Sequence, residues 1–176
     1  MGNVGTVAIG ELPGLHMINL RVAPATLQQA AVTETLGMDL PGKPGQLRVW
    51  SLSGGGEAHA LCLAPDWWII IGFQEAEQLL QQQVQKSNYQ ISVVDISSQR
   101  TTIELEGPKA HEVLAHLWDQ DLRDKSFPIG SVSQGLMAMA PAIVCHIARF
   151  RYRVMVQCSF ALHLWKSLAD AAEEWV

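Results

Sequence analysis

The chain has 176 residues and a formal charge of −5 with no dense run of Lys and Arg, so the electrostatic footprint of nucleic-acid binding is missing. Length of this order buries a core without staples, so one domain or a pair of half-domains is expected. Hydrophobic residues make up 48% and charged residues only 16%, more apolar than a self-contained small domain needs, and part of that surface is expected to meet a partner.

In chain order, "MGNVGT" comes first and fits the acylation pattern with Gly2 as acceptor; with so few fixed positions it is read as a chance match. The N-terminus lacks the layout of a signal peptide and no apolar run reaches membrane-spanning length, so a chain that stays off the membrane is expected. "MINLRV" (17–22) alternates as a strand, and "APATLQQAAVTETLG" shifts to helical spacing at Leu27, Ala31 and Leu36 before Gly37 closes it. "PGKPG" is a turn, "QLRVWSL" a strand, "SGGGE" a loop and "HALCLAPDWWIIIG" one long strand or two short ones. "EAEQLLQQQVQ" is helical and "ISVVDIS" a strand.

The second half repeats this grammar. "TTIELEG" is a strand, "PKAHEVLAHLW" a helix with proline at its start, "GLMAMAPAIVCHIARFRYRVMVQC" a pair of strands, and "ALHLWKSLADAAEEW" a closing helix. An offset of 85 residues lays Ile18 on Ile103, Leu20 on Leu105, Ile69 on Val154, Ile71 on Val156 and Leu79 on Leu164. The fold expected is α+β, internally duplicated, with ferredoxin-like β-α-β-β-α halves and a last strand shared or contributed across the middle. The repeats are placed at about 12–98 and 99–176 of a single compact domain. A two-layer sandwich of another topology fits the same periodicity.

Chemistry-bearing patterns are sparse. His111 and His116 are five apart and fall on different faces of a helix, so no metal pair forms there. Cys145 and His146 alternate across a strand and cannot activate one another. Cys62, Cys145 and Cys158 are odd in number and sit in apolar runs, the habit of reduced, buried cysteines in a cytoplasmic protein. "SGGGE" lacks the phosphate-loop pattern, and no dinucleotide fingerprint follows any strand. Glu104 and Glu106 share one side of a strand, which reads as a solvated or partner-facing side and not, with Asp95, as an acid–base set. Catalytic, cofactor-binding and metal-ligating residues are therefore expected to be none.

Read together, "INLR", "LGMDLP", "LAPDWWIIIG", "VVDISSQRTTIELEGPKAHEVL", "DLRDKSFPIGSVSQGLMAMAPAIV" and "SFALHLWKSLADAA" resemble the gamma subunit of heterotetrameric sarcosine oxidase across nearly the whole chain. The D-x-S-x-x-R-T-x-I-x-L-x-G-P-K-A run and S-F-P-I-G-S are its specific parts, and Trp67 departs from it where an acid is usual. That family is similar to the folate-binding domain of the glycine-cleavage aminomethyltransferase, whose folate motifs do not match here. The resemblance implies a non-catalytic accessory chain with alpha, beta and delta partner subunits. It places FAD, FMN, NAD and tetrahydrofolate in those partners, in a complex that demethylates sarcosine or another N-methyl amine. A free-standing folate-binding protein of the aminomethyltransferase superfamily is the alternative.

Aromatic and Arg side chains near turns are where interface anchors concentrate. The expected subunit contact therefore includes Trp67 or Trp68, Arg100 and the turn at Phe127 and Pro128.

Overall fold

A computed structural model describes residues 6–52, 56–86 and 90–175. Gly2 of the acylation pattern and residues 53–55 of the "SGGGE" loop lie outside them. The order is β1 (Ala8–Glu11), β2 (Met17–Val22), α1 (Leu27–Leu36), β3 (Leu47–Ser51), β4 (Glu57–Ala64), β5 (Trp67–Ile71), α2 (Ala76–Lys86) and β6 (Ile91–Asp95). It continues with β7 (Arg100–Glu106), α3 (Ala110–Ala115), β8 (Val132–Met137), β9 (Ala140–Ala148), β10 (Arg151–Gln157) and α4 (Ala161–Ala172).

Two compact units result. One comprises residues 14–97; the other comprises residues 98–175 with the described N-terminal residues up to Pro13. The first holds a sheet ordered β3-β4-β5-β2-β6 and the second one ordered β8-β9-β10-β7-β1, so the two share one strand order position for position. All the strand pairs with a recorded register are antiparallel.

Each half carries three strands between its helices, one more than the β-α-β-β-α expectation. The missing punctuation explains the second half. β8 and β9 are joined through Ala138 (φ 48°) and Met139 (φ 68°), and β9 and β10 through Arg149 and Phe150 (φ 63°), positive-φ turns built without the Gly or Asn that normally signals them. The second sheet's last strand also comes from an unexpected place. It is β1, from the N-terminal end and not from the middle of the chain, paired Ile9 to Leu105 along β7.

In the first unit α1 starts at Thr26, whose hydroxyl accepts from the Gln29 N–H, and ends at Gly37 in the left-handed region (φ 64°). Its core joins Ile18, Leu20, Ala58, Ala60, Trp68 and Ile70 of the sheet to Val32 and Leu36 of α1 and Leu80 of α2. In the second unit Ile103, Leu105, Ala142, Val144, Tyr152, Val154 and Val156 meet Val113 and Leu114 of α3 and Leu164, Leu168 and Ala172 of α4. Those last three recur every four residues, the spacing of one helix face.

The internal repeat is out of phase with the expected offset by one residue. Ile18 pairs with Ile70 in the first sheet and Ile103 with Val154 in the second, so the first strand repeats at 85 residues but the next at 84. Leu80, not Leu79, is likewise the counterpart of Leu164 in the core. Because side chains alternate, that slip exchanges faces: Ile69 and Ile71 lie opposite the helix-covered side to which Val154 and Val156 belong. Ile69 and Ile71 are nevertheless buried, and strands buried on both faces explain the unbroken apolar runs of β4, β5 and β9. Among the cysteines Cys62 and Cys145 are buried, but Cys158 is exposed, because it lies where the chain leaves β10 for α4. Burial pushes the Cys62 thiol up to about 11 and that of Cys145 higher still, which leaves both unreactive.

Candidate functional site

The long motif that dominates the sequence resolves into local structural roles. Asp95 ends β6 and its Oδ1 accepts from both the N–H (2.8 Å) and the hydroxyl (2.5 Å) of Ser97, while the Ser97 Oγ accepts from the Met17 N–H at 2.9 Å. These two residues form a turn that ties β6 back to β2. The Ser97 bonds hold the Asp95 carboxyl below its ordinary value. A depressed folded-state value contributes stability above the unfolded value and loses it as pH falls toward the folded one. Asp95→Asn is therefore expected to be less stable than wild type at neutral pH, with the gap closing below the ordinary value of 3.8; denaturant titration across that range checks it.

Arg100 opens β7 opposite Gln157; it is half-buried, and desolvation lowers its guanidinium value. Glu104, further along the strand, accepts from Nε of Arg153 at 2.8 Å, directly across the sheet. Neither Asp95 nor Glu104 is therefore a free acid. Gly107 and Lys109 of the same motif receive the N-terminal segment: the Lys109 N–H donates to the Thr6 carbonyl at 3.0 Å.

The tryptophan pair divides across its sheet. Trp67 is half-buried, its indole N–H donates to Asn19, and the Arg21 guanidinium lies 4.5 Å from its ring centre while holding Asp66 at 3.1 Å. Trp68 is 1% exposed and donates to the Pro41 carbonyl at 2.9 Å, so it is core of its own unit and offers no outward anchor. Phe127 is also buried, at 6% exposure, whereas Pro128 and Ile129 after it are exposed.

Phe127 belongs to an aromatic stack. Its carbonyl lies 2.8 Å from Nδ1 of His146, which stacks on Tyr152 with ring centres 4.3 Å apart. Beside the stack is a hollow of about 370 Å³ lined by His111, Glu112, Asp124, His146, Arg149 and Tyr152. Burial first, then Asp124 and Glu112, push the Tyr152 phenol up to about 12. Burial would raise Glu112, but a hydrogen bond from Lys109 at 2.8 Å and the charges of Lys109 and His111 bring it below the usual carboxylate value.

A profile of the sarcosine oxidase gamma subunit family matches residues 22–174. The chain belongs to that family. Sarcosine oxidase subunit gamma of Corynebacterium sp. (strain P-1) is 27% identical over 172 residues, covering 97% of this chain and 82% of its own length. The protein of the same name from Arthrobacter sp. is 25% identical over 172 residues, with the same coverage of 97% and 82%. Heterotetrameric sarcosine oxidase from Corynebacterium sp. U-96 contains a chain that superposes with a TM-score of 0.86 at 25% identity, over 96% of this chain and 85% of that one. Aminomethyltransferase T of the glycine cleavage system from Bartonella henselae matches at a TM-score of 0.62 and 16% identity, over 93% of this chain and 45% of that one, a likeness of fold alone.

Two features of this gamma-family chain escaped the sequence reading. His16, Glu77 and Asp95 place one donor atom each within 4.8 Å of one another, with His16 Nε2 3.9 Å from Glu77 Oε2, a spacing that a divalent cation could draw together. No short-range pattern signals a trio drawn from the residue before β2, from α2 and from β6. The other is apolar surface at the start of α4, where Leu162 is 67% exposed and Trp165 38%. They edge a hollow of about 300 Å³ that also touches Thr101 and Ile103. The i, i+3 spacing of Leu162 and Trp165, beside the separate buried stripe at Leu164 and Leu168, was the available signal.

Proposed function

We propose that the chain is the gamma subunit of a cytoplasmic heterotetrameric sarcosine oxidase, built with alpha, beta and delta subunits. The complex converts sarcosine, oxygen and tetrahydrofolate to glycine, hydrogen peroxide and methylenetetrahydrofolate. In this reading FAD, FMN, NAD and tetrahydrofolate belong to the partners and this chain supplies a structural surface. The observation that carries it is the likeness to a chain of a heterotetrameric sarcosine oxidase over 96% of the residues, with a TM-score of 0.86. Consistent with a structural role, Asp95 and Glu104 are engaged in a turn and a cross-strand ion pair.

The surfaces assigned to subunit contact are the exposed side chains of α4, Leu162 and Trp165, together with Trp67, Arg100 and Pro128, which are the expected anchors with solvent access. Trp68 and Phe127 support those neighbours from within. Co-expression with tagged partner subunits tests both statements. Wild-type chain is expected to co-purify, and Trp165→Ala to weaken its retention by about 2 kcal/mol with an unchanged melting temperature. A wild-type chain that never co-purifies overturns the subunit reading, whereas full retention of the Trp165 variant overturns only the surface.

A further inference from the structure

The hollow beside the aromatic stack has no part in the structural role proposed above. It lies wholly within the second unit, and its volume of about 370 Å³ is at the small-molecule end of ligand sites. Its wall carries unneutralised charge of both signs. The Arg149 guanidinium lies 4.7 Å from the Phe150 ring centre and has no carboxylate partner among the described residues. Asp124 has no cationic partner there either, and it stands near enough to Tyr152 to disfavour the phenolate. Two further charged residues line the hollow already paired, Glu112 with Lys109 at 2.8 Å and Arg123 with Asp121 at 2.7 Å.

The floor is polar. His146 is 1% exposed, and its Nδ1 faces a carbonyl, which only accepts, so Nδ1 carries the proton. In the tautomer that this bond selects, Nε2 is the acceptor, and it has no hydrogen-bond partner among the described residues. A ligand N–H aimed at Nε2 would complete its hydrogen bonding.

From these observations we propose that this hollow binds a small zwitterion, an α-amino acid whose carboxylate meets Arg149 and whose ammonium group meets Asp124 and His146 over the Tyr152 ring. The chemistry excludes simpler occupants. An anion alone leaves Asp124 unmatched, a metal cation leaves Arg149 unmatched, and an uncharged apolar molecule would strand charges of both signs. An ammonium group also gains from the electron-rich ring face.

The test uses the full chain, isotope-labelled and followed by NMR while glycine and sarcosine are added, with acetate and methylammonium as the two halves. Saturable shifts of the Tyr152 and His146 signals with either amino acid are expected, and each half should bind at least about tenfold more weakly. Arg149→Gln and Asp124→Asn change exposed side chains and leave the fold intact; each should weaken amino-acid binding by about tenfold or more. Binding untouched by both variants would overturn the site, and so would no saturable shift up to about 50 mM, a concentration that detects even millimolar affinity. The readout involves no partner subunit, so its failure is separable from failure of the gamma-subunit reading.

Discussion

Trp68→Ala is expected to destabilise the chain by about 3–5 kcal/mol. The side chain is 1% exposed between the sheet and its helices, and its removal opens a cavity and leaves the Pro41 carbonyl without the indole N–H that reaches it at 2.9 Å. Its neighbour predicts the opposite outcome. Trp67 is half-buried beside Arg21, and Trp67→Ala forfeits a cation–π contact of about 0.5–1 kcal/mol and the indole bond to Asn19, worth about 1 kcal/mol, but removes no fully buried side chain. Equilibrium denaturation of the two variants separates them. A loss below about 1 kcal/mol for Trp68→Ala would mean that its ring is not core.

The second large effect is expected at Gly107, within the sequence run that carries the family resemblance. Its φ is +138°, and a Cβ there would stand 2.5 Å from the Thr6 carbonyl oxygen and 2.9 Å from the Val7 Cα, both backbone atoms that cannot rotate away. The same glycine donates its N–H to the Phe150 carbonyl at 2.9 Å, so it cannot retreat without breaking that bond. Gly107→Ala combines backbone strain with overpacking, together about 2–5 kcal/mol. The strand most affected is β1, which enters beside this glycine. Hydrogen exchange should therefore accelerate at Ile9 and along β7 before the rest of the unit responds. Gly10→Ala is the control, since nothing lies within 4 Å of its Cβ position. If both variants exchange like wild type, the close approach of the N-terminal segment to Gly107 is not real.

The interface assignment changes character once side chains are placed. Of the expected anchors, Trp68 and Phe127 are core, and Trp67, Arg100 and Pro128 retain access. The exposed apolar residues of α4 then become the better candidates, because Leu162 and Trp165 contribute nothing to the buried stripe at Leu164, Leu168 and Ala172.

Periodicity alone identifies the class of each long element, because alternation of period 2 and spacing of 3.6 are direct imprints of strand and helix geometry. The duplication is legible in the residues that match at a fixed offset, and the family in the D-x-S-x-x-R and G-P-K-A run. Whatever depends on partners distant in the chain is decided by packing instead. The turns at 138–139 and 149–150 carry no glycine, so neighbouring ladders rather than local preference impose their positive φ. β1, with only four residues, acquires its meaning from pairing with β7 about a hundred residues later. The phase of the repeat slipped by one residue because burial on both faces of β5 erases the alternation that would have separated Ile69 from Ile70, and the two Trp sort to opposite faces by the same rule. The hollow at His146 gathers side chains from α3, the 123–129 loop and the β9–β10 turn, and no spacing along the chain encodes that meeting, because packing alone brings those segments together.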